Sequence, residues 1–178
     1  MKILVTYASR HGATKQIAER IATRLHAAAL DLPEHRDQPD LLAYDAFVIG
    51  SAAYMGHWLG DATAFVRQHV GLLSQHPVWL FSSGPLGTEP ADEQGRDLRS
   101  AAEPEEIAEF RDLIGPRDHH VFFGALDPST LGVRDSLIRV IPPAHRLLPE
   151  GDFRDWTEVD AWTESIAAEL AAGANAAG

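Results

Sequence analysis

The stretch from Lys2 to Leu25 constrains this chain more than any other. An apolar run, Ile3-Leu-Val-Thr-Tyr-Ala8, breaks at Ser9-Arg10-His11-Gly12-Ala13-Thr14 and passes directly into a helical pattern from Lys15 to Leu25. Ile17, Ile21 and Leu25 recur at four-residue spacing with Ala18 and Ala22 beside them, so one helix face is apolar and the other charged. A buried strand, a tight polar loop and a helix start, in that order, make an anion site. The first-turn N–H groups have no intrahelical partners, and the helix dipole favours negative charge there. Ser9, His11 and Thr14 add side-chain donors, Arg10 is placed to neutralise charge, and Gly12 lets the backbone approach a ligand closely. The spacing predicts a phosphate-binding loop.

Two common phosphate loops do not fit. A nucleoside-triphosphate loop needs a second glycine followed by Lys-Ser/Thr, whereas Gly12 is followed by Ala-Thr-Lys. A dinucleotide fingerprint needs three spaced glycines, and two are missing. Ser9, Gly12 and Thr14 instead match the flavodoxin pattern Ser/Thr-x-Thr-Gly-x-Thr. His11 stands where that pattern has Thr, and Arg10 where it has a small residue.

At 178 residues and 45% hydrophobic, the chain suits a single domain with a full core. A net charge of -11 argues against nucleic acid, whose phosphates require a basic footprint. The absence of cysteine excludes disulfides, thiolate catalysis and cysteine-ligated metal centres. No Gly-x-Ser-x-Gly elbow and no His-Glu-x2-His motif is present, which argues against a serine hydrolase of the usual α/β type and against a metal site among the nine histidines. His119-His120 on a strand would face opposite sides, so no metal site is expected. With a strand at once, no leader pattern and no long apolar run, a cytoplasmic protein is expected.

Strand and helix patterns then alternate. Strands are expected at Ala28–Leu32, Tyr44–Gly50, Pro77–Phe81 and His120–Leu126, and helices at Asp61–Leu73, Glu105–Leu113 and Trp156–Ala171. Trp79 and Trp162 are read as core. The expected architecture is α/β: a flavodoxin-like, five-stranded parallel sheet of order 2-1-3-4-5 with helices on both faces. One domain spans 1–172, with an insertion at about 127–155 and a flexible tail at 173–178.

Ligands in such sheets bind outside the carboxyl ends of the strands, at the switch point. Three loops should converge there: Ser9–Thr14, Ser51–Gly60 and Ser82–Gly87. In the second, Ala52 and Ala53 leave room for a flat ring, Tyr54 and Trp58 can stack on it or pack under the loop, and Met55 can touch its edge. In the third, backbone N–H groups of Ser83-Gly84-Pro85-Leu86-Gly87, freed by the glycines, can bond a pyrimidine-like edge. One phosphate loop and two ring-gripping loops is an arrangement that holds flavin mononucleotide, FMN.

Across nearly its whole length the chain resembles the flavodoxin-domain family that includes menaquinone-dependent protoporphyrinogen oxidases. The resemblance rests on Ser9–Thr14, on Val48-Ile-Gly-Ser51 with Tyr54 and Gly56-His57 behind it, on Phe123-Gly-Ala-Leu126, and on Asp155-Trp156 after an insertion. It implies an FMN-bound electron-transfer oxidoreductase. The insertion alternates apolar residues with Arg134, Arg139 and Arg146 and carries Pro142-Pro143. Its uses stand about even. Through 129–148 it can rest on a membrane surface or receive a large, anionic, apolar substrate; it can equally cover a sheet edge or make a homodimer contact.

Three functions remain open. The first is an FMN-dependent oxidoreductase moving electrons between an apolar, porphyrinogen- or quinone-like substrate and a small-molecule or quinone-like redox partner. The second is a flavodoxin-type carrier without a substrate of its own. The third is a domain that has lost flavin. No general acid or base stands out, so no catalytic side chain is assigned.

Overall fold

The computed structural model describes residues 1–32, 40–84, 99, 102–126 and 151–176. Pro85, Leu86, Gly87 and residues 127–150 of the insertion lie outside the described residues. The elements are β1 (Ile3–Ala8), α1 (Ala13–Leu25), β2 (Ala28–Asp31), β3 (Ala46–Tyr54), β4 (His57–Trp58), α2 (Gly60–Gln68), α3 (Val70–Leu73), β5 (Val78–Ser83), α4 (Glu106–Ile114), β6 (Asp118–Phe122), β7 (Ala125–Leu126), β8 (Gly151–Asp152) and α5 (Trp156–Ala176). A 3-10 turn, Leu41–Ala43, leads into β3.

The main sheet runs β2-β1-β3-β5-β6 with every one of these pairs parallel, which is the order expected from the sequence. Side chains alternate between two cores. Leu4, Phe47, Ile49, Val78 and Leu80 face α2, α3 and α4, where Phe65, Val66, Leu73, Ile107 and Phe110 complete one core. Val5, Val48, Trp79 and Phe81 face α1 and α5, against Ile17, Ile21, Val159, Trp162 and Ile166. Trp79 and Trp162 are core residues as read. Ile17 and Ile21 are fully buried, each burial stabilising by about 1.5–3 kcal/mol.

Several boundaries differ from the sequence reading, and four of the differences change the architecture or are the largest. β3 does not stop at Gly50: Ser51 and Ala52 still find partners in Ser82 and Ser83 of β5, and Ala53 and Tyr54 find theirs in β4. The predicted loop is therefore a hairpin, Ala53 pairing with Trp58 and Tyr54 with His57 around Met55-Gly56. The helix predicted over Asp61–Leu73 breaks at His69. Its imidazole Nδ1 donates to the Phe65 carbonyl at 2.8 Å, competing with the backbone for that acceptor.

The fifth strand does not run to Leu126. β5 ends at Ser83, opposite Phe122. Among the described residues the chain finds no further main-sheet partner and turns away at Phe123-Gly124, and Ala125 and Leu126 pair with Asp152 and Gly151 in a separate antiparallel ribbon. That ribbon joins the two ends of the insertion. The final helix continues through Ala176 rather than ending at Ala171. None of the helices among the described residues is long and apolar enough to cross a membrane.

Candidate functional site

The carboxyl ends of β1, β3 and β5 bring together the first two predicted loops and the described start of the third, Ser82–Gly84. At the first, the Gly12 N–H donates to Ser9 Oγ at 3.1 Å, tightening the turn behind β1. Gly12 holds φ +88°, a left-handed conformation that glycine adopts without strain. α1 then begins with no side-chain cap and no acidic residue in its first turn. The first-turn N–H groups of Ala13, Thr14 and Lys15 have no intrahelical acceptor. α5 is the contrast, because Asp155 Oδ1 accepts from the N–H groups of Thr157 at 2.8 Å and Glu158 at 3.2 Å. One helix start is closed by a carboxylate; the other is left open beside exposed Arg10 and half-buried His11.

The second loop, now a hairpin, meets the first. The Tyr54 ring lies edge-on to His11 with centroids 6.3 Å apart, and the Arg10 guanidinium sits 5.1 Å above the Tyr54 centroid. Tyr54 remains 38% exposed and Met55, at the tip with φ +52°, is 98% exposed. The third loop packs on the second: a Cβ added at Gly84 would lie 3.1 Å from the Ala53 Cβ, and the Gly84 N–H donates to the Phe122 carbonyl at 3.2 Å. Ser83 and Ala52 are buried neighbours in the β3–β5 register.

Trp58 takes the second of its two expected places, packing under the loop. It is buried under the hairpin on the α4 side, tilted against Phe110 with centroids 5.4 Å apart. Its Nε1–H donates to Ser82 Oγ at 2.7 Å. Trp58 supports the hairpin from below, leaving Tyr54 as the aromatic ring presented beside the loop. Beyond Trp58, a groove of about 450 Å³ along α2 and α4 is lined by Thr63, Arg67 and Glu106 but by no residue of the phosphate loop.

Two features were not singled out from the sequence. Arg154 reaches across to α1, donating to Gln16 Oε1 at 2.8 Å while its guanidinium grips Asp152 at 2.6 and 2.7 Å. That guanidinium holds the Asp152 carboxyl below its usual range. The second is a polar chain under the hairpin, buried at Ser82 and His119 and reaching the surface at Glu103 and Arg111. Ser82 Oγ lies 2.8 Å from His119 Nε2, His119 Nδ1 lies 3.1 Å from Glu103 Oε1, and Arg111 donates two bonds to Glu103 at 2.8 and 2.6 Å. Arg111 above all, and His119, lower the Glu103 pKa, whereas burial lowers that of His119 despite the facing carboxylate. His119 and His120 do face opposite sides, His120 meeting Glu158 on α5 at 3.0 Å. The serine of Ser82-Ser-Gly and the histidine pair were visible in the sequence, but nothing local joined them.

The pattern of the flavodoxin domain matches residues 4–141. The protoporphyrinogen IX dehydrogenase [quinone] of Escherichia coli strain K12 is 29% identical over 94 residues, covering 51% of this chain and 52% of that protein. The match thus spans about half the length of the curated relatives. Among solved structures, a flavoprotein of Bacteroides eggerthii aligns with a TM-score of 0.55 and 14% identity, over 93% of this chain and 98% of that one. A flavodoxin from the domain Archaea aligns with a TM-score of 0.51 and 20% identity, over 76% and 88%. A flavoprotein of Lactobacillus acidophilus NCFM, solved in complex with FMN, aligns with a TM-score of 0.50 and 16% identity, over 67% and 92%. Sequence pattern, strand order and converging loops agree: this chain belongs to the flavodoxin domain family.

Proposed function

We propose that this protein is an FMN-dependent oxidoreductase that moves electrons between an apolar organic substrate, porphyrinogen- or quinone-like, and a quinone-like acceptor. The observation that carries this reading is the open start of α1, uncapped and free of acids, with Arg10, His11 and Tyr54 gathered beside it. Those residues fit FMN. The first-turn N–H groups of α1, the Ser9 hydroxyl and Arg10 suit a phosphate, Tyr54 offers a ring face, and Ala53 and Gly84 keep the neighbouring surface small.

When bound, FMN supplies a ring that accepts and releases hydride or electrons. The chain's own residues bind it, orient it and set its electrostatics. With a net charge of -11, the protein disfavours further negative charge, and Arg10 offsets this near the loop. The match to a protoporphyrinogen dehydrogenase supports the substrate class. The fully exposed Met55 beside Tyr54 favours the second reading, a carrier whose apolar hairpin tip docks onto protein partners.

The test is the visible spectrum of the purified protein, with identification of any chromophore released on heating. Flavin bands and released FMN are expected, and Arg10→Ala should weaken FMN binding by about tenfold, as loss of one charge-assisted contact does. A colourless protein that takes up no added FMN would overturn the assignment. Turnover of a porphyrinogen with a quinone, lost on deleting 127–150 while FMN stays reducible, separates the enzyme from the carrier.

A further inference from the structure

The polar chain beneath the hairpin has one consistent direction. An indole N–H can only donate, so Ser82 Oγ accepts from Trp58 at 2.7 Å. Ser82 has a single hydroxyl proton, and His119 Nε2 stands 2.8 Å away to receive it. Nε2 therefore carries the lone pair, and Nδ1 carries the proton that is donated to Glu103 Oε1 at 3.1 Å. Glu103 is held in turn by both terminal nitrogens of Arg111. The His119 side chain is 1% exposed, and Ser82 and Trp58 are buried, so water does not substitute for a lost link.

The chain joins four separate pieces of the fold: β4, the end of β5, β6, and α4 with the residues before it. Trp58 is the paired neighbour of Ala53, one position before Tyr54. Ser82 immediately precedes Ser83-Gly84, which packs on Ala53. Both ring-gripping segments are thus tied to one imidazole. A second proton on His119 would make Nε2 a donor. Ser82 Oγ would then face two donors while its own buried proton lost its acceptor, and a buried donor without a partner is costly.

We propose that His119 is a positioning residue: in its neutral Nδ1–H form it fixes, through Ser82, the anchor of Trp58 and with it the hairpin that carries Tyr54 and Met55, and on protonation it releases that anchor. Its consequence for FMN rests on the flavin reading above; the anchor itself does not. The groups acting on His119 are Glu103 before α4, Arg111 on α4 and Asp118 on its own strand. His57, in the hairpin itself, meets Glu106 at 3.1 Å, and Glu106 accepts from the Trp58 backbone N–H at 3.2 Å, so this pair is the control for His119.

The experiment follows the Trp58 indole N–H resonance, assigned with Trp58→Phe, from about pH 8 to about pH 5 in the apo-protein, alongside FMN affinity over the same range. A single step in the indole signal is expected below the ordinary histidine value, with FMN affinity falling about tenfold through that step, the worth of about one buried hydrogen bond. His119→Gln should remove both steps while His57→Gln keeps them, and Ser82→Ala, with His119 intact, should uncouple the indole from pH. An indole resonance that does not move, or that moves equally in His119→Gln, overturns the proposal. If the wild type takes up no FMN at any pH, the flavin reading fails, and the indole titration still decides the anchor.

Discussion

In the middle of the sheet, Gly50 of β3 sits beside Phe81 of β5 so closely that a Cβ on Gly50 would stand 1.9 Å from Phe81 Cζ. The Phe81 ring occupies the space a side chain at position 50 would need, and it packs there against Phe122 and Trp162. Gly50→Ala should therefore destabilise the fold by about 1–3 kcal/mol through overpacking. Gly50→Ala with Phe81→Leu should lose less than the sum of the two single changes, because the trimmed ring vacates the contested volume. Urea unfolding of the three variants measures this.

Gly12 gives a different kind of constraint. A Cβ there would meet nothing within 4 Å, so the obstacle to a side chain is the φ of +88° alone. Gly12→Ala should cost about 1–2 kcal/mol of stability from backbone strain. The same change should weaken FMN binding more than an alanine at solvent-exposed Glu19 does. Paired denaturation and FMN titrations check both effects.

The closed start of α5 predicts an ordinary capping loss. Asp155 satisfies two first-turn N–H groups, so Asp155→Ala should destabilise by about 1 kcal/mol, and Asp155→Asn should recover most of it. Thermal denaturation of the two variants discriminates a cap from a charge effect.

Acid should destabilise the protein in two stages with the same sign. Burial depresses the folded-state pKa of His119 below 6.5. Its contribution is therefore complete above that value and is lost as pH falls through the folded one. Glu103 is depressed below 4.5 chiefly by Arg111, so its contribution is complete above that value and is lost at lower pH still. Stability measured by urea unfolding should fall first in the histidine range and again in the carboxylate range. His119→Gln should flatten only the first fall, and Glu103→Gln the second.

The alternation of elements was determined by sequence alone, because it follows from local periodicity; the order of the sheet was legible only through the flavodoxin-like reading of that alternation. The apolar runs at Ile3–Ala8 and Ala46–Gly50 and the four-residue spacing of Ile17 and Ile21 are properties of adjacent residues. So is the first loop, whose Gly12 turn and helix start lie within a few residues of each other. Tertiary structure decided where strands end and which polar groups meet. β3 reaches Ala52 because β5 pairs with it that far and Tyr54 because β4 folds back on it, and β6 stops at Phe122, opposite Ser83, the last residue of β5. Trp58, which by sequence could stack on a ring or pack under the loop, is drawn beneath the hairpin by Ser82, 24 positions away, and by the Phe110 ring. His119 finds Ser82 across 37 positions and Glu103 across 16. Hydrogen bonds between residues so far apart leave no periodic trace in a single sequence, and only the packing of β4, β5, β6 and α4 brings their donors and acceptors into reach.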